Sequence, residues 1–314
     1  MRFTKWAIRA VDAAVAFRRL AAMGLPVLLF SATAAAGQDL VPGAFSPAPT
    51  GFNLLLFSAS FSTGGLSFDP TLPIEDANAK LGAVLVGYGR TFGLAGRFAS
   101  VVVAVPYVNG HVEGLVLGQP QNRSLSGTSD PIVRLAVNMF GAPAMAPQQF
   151  AGRRFPTIAG FSVTVSGPWG QYDSRRYLNL GRHRWTVRPE GGVARTRGAW
   201  TFEGNLSASF FSDNDDYVNG VTQSQAPIWA VQGHLTYTIR RGLWVAADAN
   251  YWRGGRLTTN GVAMGSELDN SRAGVTVALP VGTRQVRVAY SAGARTSLGG
   301  DFHSVGVSYT HAWK

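Results

Sequence analysis

Hydrophobic and polar positions alternate with a period of two along most of this chain, most clearly between Ala199 and Trp252. Trp200, Phe202, Leu206, Ala208 and Phe210 alternate with Thr201, Glu203, Asn205, Ser207 and Ser209. Trp229, Val231, Leu235, Tyr237 and Ile239 alternate with Gln232, His234, Thr236 and Thr238, and Leu243, Val245, Ala247, Ala249 and Tyr251 alternate with Trp244, Asp248 and Asn250. A strand sends successive side chains to opposite faces. Each run therefore has one apolar face, with aromatics near its ends, and one mostly polar face. A long polar loop, 212–227, joins the first two runs, and a tight turn, 240–242, joins the next pair.

The pattern predicts twelve strands, near 51–62, 79–91, 98–108, 129–140, 155–166, 183–195, 199–211, 228–240, 243–252, 270–280, 284–294 and 302–313. Each is close to the roughly 9–11 residues that a tilted strand needs to cross a bilayer. Connections after odd-numbered strands are long (63–78, 109–128, 167–182, 212–227, 253–269, and the shorter 295–301). Those after even-numbered strands are short (92–97, 196–198, 240–242, 281–283), except for 141–154, whose Ala/Pro-rich start marks a candidate short helix. A soluble sandwich also alternates, but it has no reason to sort loop lengths by strand parity. The expected fold is all-β: a transmembrane antiparallel up-and-down barrel of twelve strands, with short periplasmic turns and long outer loops. The last strand ends Val305, Val307, Tyr309, Trp313, as outer-membrane barrels do for recognition by the assembly machinery, although His311 and Lys314 depart from that pattern.

Residues 1–36 read as a secretory signal peptide: a basic segment ending at Arg18-Arg19, an apolar stretch over 20–30, and the small residues Ala34-Ala35-Ala36. Residues 37–50, rich in Pro and Ala, are expected as a periplasmic lead-in, and 51–314 as the barrel. Composition agrees with this division. Charged residues make up 14% of the chain, against about 25% on average, and cysteine is absent. Of the net charge of +11, the first 36 residues supply Arg2, Lys5, Arg9, Arg18 and Arg19 against Asp12. The remaining basic residues are scattered rather than gathered into a run, which argues against a nucleic-acid partner.

Several stretches resemble one family. They are 69–76 (DPTLPIED), 87–92 (GYGRTF), Ser129-Asp130-Pro131 with Arg134, Leu135, Val137 and Asn138, and 167–173 (GPWGQYD). Further along come Asn179-Leu180-Gly181, Arg184-Trp185, Pro189-Glu190, 212–216 (SDNDD) and Gly300-Asp301-Phe302. Together they make the chain similar to the MetA-pathway of phenol degradation family of outer-membrane transporter barrels. The resemblance runs over essentially all of 51–314. It implies a barrel in the outer membrane of a Gram-negative bacterium that admits hydrophobic or aromatic compounds.

With the apolar face outward, the lumen receives Arg134, Arg184, Arg188, Glu190, Glu203, His234, Arg240, Asp248, Arg272 and Arg287. Buried charges must pair or meet water. They either form an arginine-rich constriction that selects solutes or a cross-strand network that stiffens the wall. Trp244, Trp252 and Phe211 fall on the polar face, either as a slide for an apolar solute or as rim residues packed under the outer loops. Trp200, Trp229, Tyr237, Tyr251, Tyr290, Tyr309 and Trp313 read as girdle residues. Asp213, Asp215 and Asp216 form an acidic cluster in an outer loop; it lacks the glycine and distant glutamate of a calcium loop, so a solvated loop or an arginine partner is the expected role. His111, His183, His234, His303 and His311 are scattered, no metal site is expected, and no nucleophile shares an accessible face with a histidine. The expected function is passive passage of a small-molecule solute, with no cofactor and no catalysis, by a monomer whose other partners are membrane lipids and the barrel-assembly machinery. The alternative is a structural or ligand-binding barrel with a closed lumen; an outer-membrane lipase is the rival enzyme reading.

Overall fold

The computed structural model describes residues 40–67, 74–116, 118–176, 178–281 and 284–314. The expected signal peptide, the motif residues Asp69–Pro73 and the tip of the 281–283 turn lie outside them. The strands are β1 (Asn53–Ser67), β2 (Ile74–Leu94), β3 (Arg97–Val116), β4 (Gln119–Thr128), β5 (Ile132–Phe140), β6 (Thr157–Ser166), β7 (Thr186–Arg197), β8 (Trp200–Phe211), β9 (Asn214–Tyr217), β10 (Val221–Gln225), β11 (Ile228–Arg240), β12 (Leu243–Gly254), β13 (Leu257–Thr259), β14 (Val262–Ala263), β15 (Leu268–Val281), β16 (Arg284–Arg295) and β17 (Gly299–Trp313).

The main sheet has thirteen strands, in the order β2-β1-β17-β16-β15-β12-β11-β8-β7-β6-β5-β3-β4, and an additional β2–β3 pairing closes it. Because β4 pairs only with the upper part of β3, over Tyr107–Val116, the closed wall has the twelve antiparallel strands expected. The seam between β1 and β17 runs from Asn53 opposite Trp313 to Ser67 opposite Gly299. Closure matters physically, since an open edge would leave backbone groups without partners in lipid.

Alternation settles which side is which. Leu55, Phe57, Val103, Val105, Phe202, Leu206, Val231, Leu235, Val275 and Val305 project outward and are exposed. Ser58, Ser62, Ser100, Asn138, Ser162, Asn205, Ser207, Gln232, Asn250, Asn270, Thr276 and Ser304 project inward and are buried. This reverses the arrangement of a water-soluble protein, where so large an exposed apolar belt would drive association. Trp200 and Tyr237 touch near the short-turn end, with ring centroids 4.8 Å apart. Tyr88 and Trp313 do so at 6.3 Å, while Trp229 and Tyr251 lie outward near the other end.

The described short turns, at 95–96, 198–199 and 241–242, are two-residue hairpins. Ala95 and Gly96 both have positive φ (+48° and +74°), the conformation that matches the twist of the strands they join. The long-loop side departs from expectation. Residues 109–128 form a hairpin, because β3 continues to Val116 and β4 returns from Gln119. Likewise 212–227 and 253–269 contribute β9, β10, β13 and β14 to a separate four-stranded sheet. Polar residues dominate β4, β9, β10 and β13, so these segments carry a weaker apolar/polar alternation by which to be recognised. The candidate helix is a single turn, Pro147–Phe150.

Candidate functional site

From Leu40 on, the segment read as a lead-in lies inside the barrel. From Leu40 to Phe52 the chain crosses the lumen as a strap, and the charges that the sequence placed there hold it. Gly43 takes φ +81°, and the bend lets two consecutive amides face one carboxylate. The Gly43 and Ala44 N–H groups donate to Glu203 Oε2 and Oε1 at 2.7 and 3.1 Å. Arg287 donates to the Pro42 carbonyl at 3.1 Å, and Asn138 to the Phe45 carbonyl at 2.9 Å. Arg134 reaches the Ala44 carbonyl at 3.5 Å through each terminal nitrogen and lies over the Phe45 ring, 5.4 Å from its centroid.

The strap meets opposite walls. Phe45 fills a notch floored by Gly160 on β6 and Gly192 on β7; an added Cβ would come within 2.2 and 2.6 Å of its ring. Pro42 contacts β16 through Arg287, and Leu40 lies against Gly274 on β15. Its lower end is tied to the short-turn side. Thr50 N–H donates to the Met145 carbonyl at 2.9 Å, and Thr91 Oγ1 donates to the Pro49 carbonyl at 2.8 Å. The physical reason for this placement is the cost of buried charge. Glu203 and Arg287 are both nearly inaccessible, and peptide groups of the strap supply the hydrogen bonds they need.

The other inward charges are divided between the walls. Arg134 pairs with Glu190 at 3.6 Å. His234 Nδ1 and Asp248 Oδ1 are 2.7 Å apart, and Thr276 donates to the other Asp248 oxygen at 2.7 Å. The order along this chain is His–Asp–Thr, so the hydroxyl meets the carboxylate rather than the imidazole that would activate it. Arg272 donates to Ser291 and Ser304 at 3.1 and 3.3 Å. Trp244 lies beneath Arg287, 5.0 Å from ring centroid to guanidinium carbon. Arg188 is half-buried on β7. Arg240 does not join the lumen; it is exposed where a bulge ends β11.

The long-loop rim has its own organisation. Asp130 sits in the break between β4 and β5, where its carboxylate accepts from the Gly170 and Arg182 amides, each at 2.9 Å. Ser129 donates to the Leu180 carbonyl at 2.7 Å. Three separate sequence motifs therefore form one clasp that ties Gly170, Leu180 and Arg182 to Ser129-Asp130 at the rim. Gly170 and Gly181 cross so closely that an added Cβ at either would meet the other backbone at 2.7–2.9 Å. Phe211 and Trp252 lie near the long-loop ends of β8 and β12, packed with Ile228, Ala230 and Leu268. Arg184 is at the rim, in the connection before β7, with its guanidinium 4.6 Å from the Phe211 centroid. Burial, reinforced by Arg182, pushes Arg184 down to about 9. Asp213, Asp215 and Asp216 are exposed, and among the described residues no group of acidic or histidine side chains is arranged to hold a metal ion. Neither the clasp nor the strap is visible as a periodic pattern; the buried Glu203 and Arg287 were the available signal for the strap.

Within the clasp, Asp173 is held at about 2 by side-chain and backbone hydrogen bonds from Arg175, with Arg176 adding to the effect. Its folded value is depressed, so the contact should be complete above the ordinary carboxylate range near 4 and lost as pH falls through 2. A carbon-13 carboxyl titration of the folded protein checks this; a midpoint near 4 would mean that the Arg175 contact is absent.

Among curated protein sequences, none matches the chain significantly. Among solved structures, the chain is similar to the COG4313 outer membrane channel from Pseudomonas putida F1, with a TM-score of 0.74 and 17% identity over 88% of this chain and 100% of that one. It is more distantly similar to the transport unit of the autotransporter AIDA-I from Escherichia coli (TM-score 0.47, 9% identity, 94% and 96% covered). The translocator domain of the autotransporter NalP from Neisseria meningitidis gives a TM-score of 0.44 at 11% identity, covering 98% of each chain. The first of these likenesses supports the barrel architecture. The model of the MetA-pathway of phenol degradation family matches residues 69–310, and the chain belongs to that family.

Proposed function

We propose that the protein is a passive channel of a bacterial outer membrane, with its long loops outward, that admits small apolar or aromatic solutes. One observation carries this reading: the closed barrel is apolar outside and lined by polar side chains within. A wall of hydroxyls, amides and charges is what an aqueous path requires, whereas a core built for stability alone would be apolar. The channel likeness and the family's association with phenol degradation support the same reading and suggest the solute class. Passage needs neither cofactor nor catalysis, and the buried Asp248 arrangement leaves Thr276 without a base. Lipids and, during biogenesis, the assembly machinery that reads the final strand are its expected partners, with export by the N-terminal signal. The strap favours one rival, a closed structural barrel.

Single-channel recording of residues 37–314 in a planar bilayer separates the two readings. Discrete current steps with a preference for one ion sign are expected. A correctly folded barrel that passes no current under any applied voltage would overturn the channel reading and leave the structural one.

A further inference from the structure

We infer that the long-loop rim holds a binding site for a carboxylate carried on an apolar or aromatic body, with Arg184 as its cationic anchor; this rests on the channel reading and names a solute class for it. Arg184 is 9% exposed and Trp252 is 3% exposed. Arg184 Nε and Nη1 and the indole N–H of Trp252 are buried without an acceptor among the described residues. Buried donors without acceptors are rare and costly, and here they lie around one aromatic surface.

Phe211 links them. The Arg184 guanidinium stacks on its ring at 4.6 Å, and the ring packs on the cluster that contains Trp252 and Ile228. Stacking uses the face of the guanidinium and leaves its edge for hydrogen bonds. The only acceptor at that edge in the described structure is Gln225 Oε1, which takes a bond from Nη2. Gln225 is itself tethered through Nε2 to the Gly255 carbonyl at 2.9 Å. A neutral carboxamide oxygen thus stands where a carboxylate oxygen would gain a charge-assisted bond, roughly twice as strong.

The charged groups nearby do not meet this demand. Both Asp130 oxygens are taken by backbone amides, Asp213 is exposed to solvent, and Arg182 adds positive charge. The site therefore has donors, positive charge and an apolar floor, and lacks a charged acceptor for Arg184, which the ligand must bring. A benzoate-like molecule would displace the Gln225 carboxamide, lay its carboxylate along the Arg184 edge, and rest its ring on Phe211 and Trp252.

The test is calorimetric titration of benzoate and of benzyl alcohol, its neutral analogue, into the folded chain 37–314 in detergent. Benzoate should bind about 10- to 100-fold tighter than the alcohol, the range of a hydrogen bond to a charged group. Arg184→Gln should remove that preference, and Gln225→Ala, which clears the competing acceptor, should strengthen benzoate binding several-fold. Equal affinity for the two compounds in the intact protein, or a benzoate preference that survives Arg184→Gln, would overturn the site. If Arg184→Gln fails to fold, the Gln225→Ala result decides, since weaker or unchanged benzoate binding there also overturns it. The titration reads binding without current. A barrel that conducts but does not discriminate sinks this site alone, and one that binds benzoate through Arg184 but never conducts sinks the channel reading alone.

Discussion

Removing residues 38–50 should raise single-channel current several-fold and flatten whatever ion selectivity the intact protein shows. The strap touches β5, β6, β7 and β8 on one side and β15 and β16 on the other, so it takes up part of the cross-section between them. Pore current follows open cross-section and the fixed charge that lines it. Deletion changes both, because it vacates the space and releases Glu203, Arg134 and Arg287 from peptide groups to face water. Two milder variants give graded versions of the effect. Glu203→Gln weakens the bonds to the Gly43 and Ala44 amides, which now end on a carboxylate, and should produce brief openings on an otherwise unchanged baseline. Gly160→Val puts a side chain where the Phe45 ring lies, at a distance of 2.2 Å from the new Cβ, and should expel the ring while leaving the charges in place. If the deleted and intact proteins conduct alike, the strap does not set the path, and its role is to satisfy the buried charges.

The strap also shows where a sequence of this kind can be read and where it cannot. The strands were legible because lipid imposes a strict rule on one face. Apolar residues such as Phe202, Leu206 and Val231 must point outward, and an error of one residue would turn every side chain around. The boundaries of β8 and β11 therefore fall close to where the alternation placed them. Above the membrane the rule lapses. β4, with the sequence QPQNRSLSGT, is mostly exposed, and its single large apolar residue, Leu125, does not distinguish a strand from a polar loop. The lumen obeys a weaker rule still. Period two identifies Glu203, His234 and Arg287 as inward-facing, but it does not say which inward charge meets another strand and which meets the chain's own N-terminal backbone. Backbone amides leave no signature in composition, so the partners of Glu203 became visible only in three dimensions. Trp252 and Phe211 are a similar case, since alternation gave their face but not the cluster they form with Ile228, Ala230 and Leu268.

Leu206→Arg should destabilise the folded barrel by about 2–4 kcal/mol, the cost of a basic side chain on the lipid face near the bilayer midplane. Leu206 lies midway along β8, opposite Val231 on one neighbour and Gly191 on the other, and its side chain projects outward at 55% exposure. Val262 in the outer hairpin is more exposed still, at 66%, so Val262→Arg should be close to neutral. Exposure alone would rank the two substitutions as equally harmless, since surface changes in water are usually small. The contrast therefore measures the solvent that each face meets. Reversible guanidinium unfolding from phospholipid vesicles reads both values. The difference should shrink as the substituted position is moved along β8 toward Trp200 or Phe210, where an arginine can extend its charge to the interface. Equal stability of the two variants would mean that Leu206 does not face hydrocarbon, and the barrel's orientation in a bilayer would fail with it.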